Sequence, residues 1–168
     1  MSHPAELYLV RHAVAAPRGE EWPDDARRPL TARGVARFKG AVEGLGTLGV
    51  EVDEIFTSPL VRARQTAALL AAGLAGSPPV RVLDALSPGH APGFVVTALA
   101  RAARRRRVAL VGHEPGLGEL AAHLIGARRP LPFRKGGVCR INVEGLAPRH
   151  TGALAWFATP KLLRAAAR

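Results

Sequence analysis

The chain has 168 residues, 48% of them hydrophobic, which suits one domain with a proper core spanning residues 1–168 and leaves too little for a second. It contains no run of about 18 apolar residues and no basic-then-apolar leader in MSHPAELYLV. Its lone cysteine, Cys139, permits neither an intrachain disulfide nor a cysteine metal cluster, so a cytoplasmic, soluble protein with a buried, inert thiol is expected, with no membrane partner.

The first strand is read at Leu7–Val10. Residues 13–30 lack periodicity and carry Pro17, Pro23, Pro29 and the charged stretch GEEWPDDARR, so they form a long loop of the kind that is often functional. Within it, Trp22 either contacts a partner or anchors the loop. Thr31 is a plausible N-cap, followed at helical spacing by Val35, Phe38, Val42 and Leu45. The glycines at 44, 46 and 49 are read as closing that helix. EIFTS (54–58) is a second strand, Pro59 is placed at the N1 position of a helix running to about residue 74, and VRVL (80–83) is a third strand. The loop DALSPGHAPG precedes a helix from about 93 to 105, VALVG (108–112) is a fourth strand, and HEPGLGELAAHLIG opens another helix. GVCRINV and TGALAWF are the last strands and PKLLRAAAR a terminal helix. Strands alternating with helices imply an α/β fold: a three-layer α/β/α arrangement with a mainly parallel sheet and helices on both faces. The last two strands, with no helix between them, are expected to pair antiparallel at one side. The pattern leaves the strand order open.

The formal charge is +11, and 21 of the 24 basic residues are arginine, which permits a polyanionic partner. The one dense basic run, Arg104–Arg107, closes an Ala-rich helical pattern, where cations suit a helix C-terminus. Aromatic residues make up only 5% of the chain and form no nucleic-acid-binding motif, so a specific nucleic-acid partner is not expected.

In open parallel sheets, ligands bind beyond the carboxyl ends of the strands. Strand one ends in Arg11-His12, strand two in Ser58 with Arg62 and Arg64 just after it, and strand four in Gly112-His113-Glu114-Pro115-Gly116. Each residue taken singly has a bland reading: a strand-end histidine is usually structural, Arg62 a helix-surface charge, His113 a cap. Three such stations on one edge point instead to a phosphate-type anion, because arginine forks match phosphoryl oxygens and a neutral imidazole can attack phosphorus. The turn after strand four also opens a helix whose free N–H groups favour an anion. A metal is disfavoured: the nearby carboxylates are few (Glu114 and Asp84), no HExxH or Cys pair occurs, and two arginines would repel a cation. His123 reads as a packing or surface residue, and His3 and His150 have no evident partner.

LYLVRHA, RPLTARG (28–34), SPLVRARQTA (58–67) and LVGHEPGL (110–117), in that order, resemble the histidine phosphatase superfamily with its phosphoglycerate-mutase-like fold. The short chain, LSP at 86–88 and the late pair Trp156 and Pro160 are more similar to its SixA-type phosphohistidine phosphatases. The resemblance implies that His12 is the nucleophile, that Arg11 and Arg62 hold the phosphoryl oxygens, that His113 adds a hydrogen bond, and that no metal or other cofactor takes part. Ala13 stands where the family carries glycine, so neither positive φ nor close backbone approach is expected there. Ester-hydrolysing relatives place a carboxylate proton donor in the loop after the third strand; here that position is Ala85, with Asp84 beside it and Ser87 and His90 nearby, and Asp84 or a residue of the 13–30 loop is the alternative donor. An alkoxide leaving group needs that proton, whereas imidazole, whose conjugate acid has a pKa of about 6.5, depends on it less. The favoured expectation is therefore a phosphatase acting on phosphohistidine in a protein through a shallow, open site. The alternatives are a phosphatase or mutase for a small phosphate ester, a silent phosphate-binding module, and a basic nucleic-acid binder.

Overall fold

In this computed structural model, which describes residues 4–145 and 152–168, six strands form one sheet. They are β1 (Ala5–Arg11), β2 (Glu54–Thr57), β3 (Val80–Val82), β4 (Arg107–Gly112), β5 (Val138–Val143) and β6 (Ala153–Ala158), in the order β3-β2-β4-β1-β5-β6. The first four are mutually parallel. β5 pairs antiparallel with both β1 and β6, so it alone opposes the common direction. β1 and β4 lie in the middle of the sheet and are covered on both faces, which explains why they read as unbroken apolar runs rather than alternating ones.

The period of two along β1 sorts its side chains. Tyr8 and Val10 join the cluster holding Phe38, Val42, Leu45, Leu70 and Leu163, which belong to α1 (Ala32–Thr47), α2 (Val61–Gly73) and α5 (Pro160–Ala166). Leu7 and Leu9 join the opposite cluster with Val95, Leu99, Leu120 and Leu124, from α3 (Pro92–Ala102) and α4 (Gly116–Ile125). These are the two helical layers of the expected α/β/α sandwich. Thr31 caps α1, its hydroxyl accepting from the Gly34 amide at 2.9 Å. Cys139 is buried, and burial pushes its thiol up to about 12.

Several boundaries differ from the sequence reading. Gly44 and Gly46 lie inside α1 rather than closing it. A Cβ on Gly44 would sit 1.8 Å from the Leu163 carbonyl oxygen, so this glycine lets α1 and α5 touch, and only Gly49, at φ +73, lies in a left-handed turn past the helix end. Pro59 is not at N1: α2 starts at Val61 with Leu60 as its cap, because the Ser58 hydroxyl takes up the Leu60 amide in a turn of its own at 3.2 Å. The helix expected to reach 105 stops at Ala102. The arginine run beyond it is held by carboxylates: Glu54 Oε1 accepts from the backbone amides of Arg104 and Arg105 at 2.7 and 2.9 Å, while Arg107 pairs with Asp53 at 2.7 Å and also with Glu51. Loop 13–30 contains one 3-10 turn, Asp25–Arg27, and is pinned by an Ala15–Leu30 bridge. His123 is exposed on α4. His3, His150 and Thr151, the first residue of the expected TGALAWF strand, lie outside the described residues. No helix among the described residues is long and apolar enough to cross a membrane.

Candidate active site

Register brings the strand tips together. Arg11 pairs with Gly112 across β1 and β4, and Thr57 with Val111 across β2 and β4. The ladder continues one residue further: the His12 amide donates to Gly112 at 3.0 Å and the Ser58 amide to Val111 at 3.0 Å. His12, His113 and Ser58 are therefore neighbours because the central strands end level. The two imidazole centroids are 5.1 Å apart. Arg11, His12, Arg62 and His113 all line one cleft of about 420 Å³.

The hydrogen bonds fix which ring atoms face a ligand. His12 Nδ1 lies 2.8 Å from the Ala13 carbonyl. A carbonyl only accepts, so Nδ1 carries the proton and Nε2 keeps its lone pair. His113 Nε2 shares a 2.7 Å hydrogen bond with Ser58 Oγ, and its buried Nδ1 has no hydrogen-bond partner among the described residues. Ala13 is outside the left-handed region and donates its amide to Thr66 Oγ1 at 3.0 Å. Its methyl is thus accommodated where the family carries glycine.

Both histidines are buried, and burial is the first reason they stay neutral. It lowers His12 to about 4, against the Ala13 hydrogen bond and helped by Arg62 and Arg11. It lowers His113 to about 3, with His12 and Arg62 adding to it. Burial also lowers the Arg11 and Arg62 guanidinium groups from their ordinary value. Arg11 donates to the Phe133 carbonyl at 2.7 Å, and the Nε atoms of both arginines have no hydrogen-bond partner among the described residues. Cations crowded away from water in this way favour an incoming anion.

Two carboxylates line the cleft, and neither is Asp84. Asp25, from the 3-10 turn, accepts from Arg62 Nη2 at 2.9 Å and Arg28 Nε at 3.0 Å, while its carbonyl oxygen accepts from Arg62 Nη1 at 2.7 Å. Partial burial opposes its ionisation, but Arg62 and Arg28 outweigh that and hold it below the usual carboxylate range. Glu114 is raised by burial, against Arg11 and a hydrogen bond from the Gly118 amide. That bond places the chain's own carboxylate at the start of α4, so the helix N-terminus expected to receive an anion is already met by Glu114. Asp84 is exposed and does not line the cleft, and neither does Arg64. Ala85, Ser87 and His90 border a smaller cavity that shares Pro88, His113 and Glu114 with the cleft. Of the 84–92 segment only Pro88 reaches the cleft. Trp22 is partly buried and outside the cleft lining, its amide donating to Gly19 at 3.1 Å.

Asp25, Arg28 and Lys135 also line the cleft; the sequence points to the 13–30 loop as a source of a proton donor but singles out none of the three. The only signal for Asp25 was the acidic stretch ahead of RPLT; nothing local says that one of its carboxylates turns inward. Lys135 arrives from the loop before β5 and carries no motif. Among the described residues no group of three or more His, Cys, Asp or Glu side chains could hold a metal ion.

Comparison with known proteins places this geometry. Residues 7–88 match the model of the histidine phosphatase superfamily (branch 1). The chain is 44% identical over 118 residues to an uncharacterized protein of Picosynechococcus sp., covering 69% of this chain and 70% of that one. It is 26% identical over 164 residues to the phosphohistidine phosphatase SixA of Escherichia coli K12, covering 96% and 98% of the two chains. Its fold superposes on a structure of the protein histidine phosphatase SixA complexed with tungstate at a TM-score of 0.81, with 25% identity over 94% of this chain and 99% of that one. Strand-tip histidines and arginines in one cleft, on this sheet order and with this kinship, make the chain a phosphatase that belongs to the histidine phosphatase superfamily.

Proposed function

We propose that the chain removes phosphate from phosphohistidine on a protein, without a metal, through a phosphorylated His12. The observation that carries this reading is the orientation of His12: Nδ1 is spent on the Ala13 carbonyl, so Nε2 is the lone pair available in a cleft shared with Arg11, Arg62 and His113. Nε2 attacks phosphorus as the bond from phosphorus to the substrate imidazole breaks, and that imidazole leaves with its electron pair and takes a proton from solvent. Water then attacks the phosphohistidine at residue 12, releasing inorganic phosphate and restoring the free ring. Arg11 and Arg62 neutralise the equatorial oxygens, and the unpartnered Nδ1 of His113 is the ring atom that serves the same group.

What supports P–N over P–O cleavage is the position after the third strand: Ala85 and Asp84 do not line the cleft, and an alkoxide requires a placed acid where an imidazole does not. Of the carboxylates that do line it, Asp25 is held ionised by Arg62 and Arg28, while Glu114 is raised by burial, its Oε1 without a hydrogen-bond partner among the described residues, and is the one candidate acid there. Two assays test the reading. Brief exposure to a phosphohistidine-bearing domain should leave acid-labile phosphate on the wild-type chain and none on His12→Ala, whose turnover should fall at least ~10³-fold. Faster turnover of sugar phosphates or phosphoglycerate than of the phosphodomain would overturn the choice of substrate. Failure to trap any phosphoenzyme would overturn the mechanism.

A further inference from the structure

Beside the catalytic cleft lies a second one, of about 310 Å³, whose lining includes Arg37, Arg134, Lys135, Lys161 and Arg164 and no carboxylate. The five cations come from three segments: α1, the loop before β5, and α5. Among the described residues none of them makes an ion pair. Phe38 and Pro160 give the cleft an apolar floor, and the Arg164 stem is laid across α1, 3.2 Å from where a Cβ on Gly40 would stand. The two clefts adjoin: Lys135 lines both, and His12 in one is followed directly by Ala13 in the other.

Like charges gathered on a folded surface repel, and a matching anionic surface relieves that repulsion. The floor has no exposed aromatic ring on which a nucleic-acid base could stack: Phe38 is fully buried. A single phosphoryl group is already served by the catalytic cleft. We propose that this groove docks an acidic surface of the phosphorylated protein while its phosphohistidine enters the adjoining cleft. The inference rests on the protein-substrate reading above. It assigns substrate selection to residues that touch no reacting atom.

The test compares two substrates: a phosphohistidine domain with acidic residues beside its histidine, and phosphoramidate, which has no surface to dock. In Arg37→Glu/Lys161→Glu, and more mildly in Arg37→Gln/Lys161→Gln, KM for the domain should rise about tenfold with kcat held. Phosphoramidate turnover should stay within about twofold of wild type. On the wild-type chain, polyaspartate should inhibit turnover of the domain but not of phosphoramidate. The groove is excluded as a docking site if both variants keep the wild-type KM, if both substrates weaken together, or if polyaspartate has no effect. Equal loss with an RNA ligand in place of the domain would reassign the groove to nucleic acid. A wild-type chain that clears phosphoramidate but not the phosphodomain overturns the substrate reading itself, and this inference with it.

Discussion

Arginines gather at both ends of the sheet, and the two ends treat them in opposite ways. At the amino ends of β2 and β4, Arg107 is held by Asp53 and Glu51, and its charge is favoured above the ordinary value, first by the Asp53 hydrogen bond. Buried Glu54 is answered by Arg81 at 2.7 Å and by the amides of Arg104 and Arg105. At the carboxyl ends, burial lowers Arg11 and Arg62, and two histidines are kept neutral beside them. Charge at one end closes the fold. At the other, Asp25 answers Arg62, but Arg11 makes no ion pair among the described residues and the Nε atoms of both arginines have no hydrogen-bond partner there; the proposed phosphoryl site rests on that remaining imbalance.

Exchanging the two ends by mutation separates them most clearly. Arg62→Ala should cut kcat by roughly 10²- to 10³-fold, as losing a charged donor to a developing oxyanion does. Arg107→Ala should leave steady-state turnover within about twofold, since its partners are partly exposed. Equal losses would erase the distinction. Glu54→Ala should lower stability by about 2 kcal/mol in denaturant titration, because it strips partners from two amides and a guanidinium, with kcat untouched.

The pH dependence above the carboxylate range probes the cleft's two histidines. His12 and His113 titrate near 4 and 3 in the folded chain and near 6.5 when unfolded. Between those values the unfolded chain binds more protons, so acidification from pH 6.5 toward 4 should lower the melting temperature. Alanine at both positions should flatten that slope. In the cleft, Asp25→Asn should reduce kcat/KM about tenfold, by loosening Arg62 without removing it. A KM that falls with kcat unchanged would show instead that the Asp25 carboxylate competes with the substrate.

How far the sequence could be read varied with the kind of signal. The Leu7–Val10 and VALVG runs were unmistakable because strands covered on both faces carry no alternation to blur them. The Thr31 cap was visible because capping is local. The Arg104–Arg107 run reads as a helix end, whereas its partners, Glu51, Asp53 and Glu54, are some fifty residues away and only strand pairing brings them near. Of the two alternative donors legible in the chain, Asp84 is kept off the cleft lining by the exposed turn that carries it, whereas the 13–30 loop brings Asp25 in.

The sequence alone determined the alternation of strands and helices, the two helical layers and the presence of Arg11, His12, Arg62 and His113 near strand ends, since periodicity and motif order act over short stretches of chain. Only the tertiary structure decided that β1 and β4 lie side by side and end level, that Asp25 reaches Arg62, and that five cations with no ion pair among the described residues adjoin the cleft through Lys135. Those facts depend on strand order and loop path, which arise from contacts between residues far apart in the chain and leave no local pattern to read.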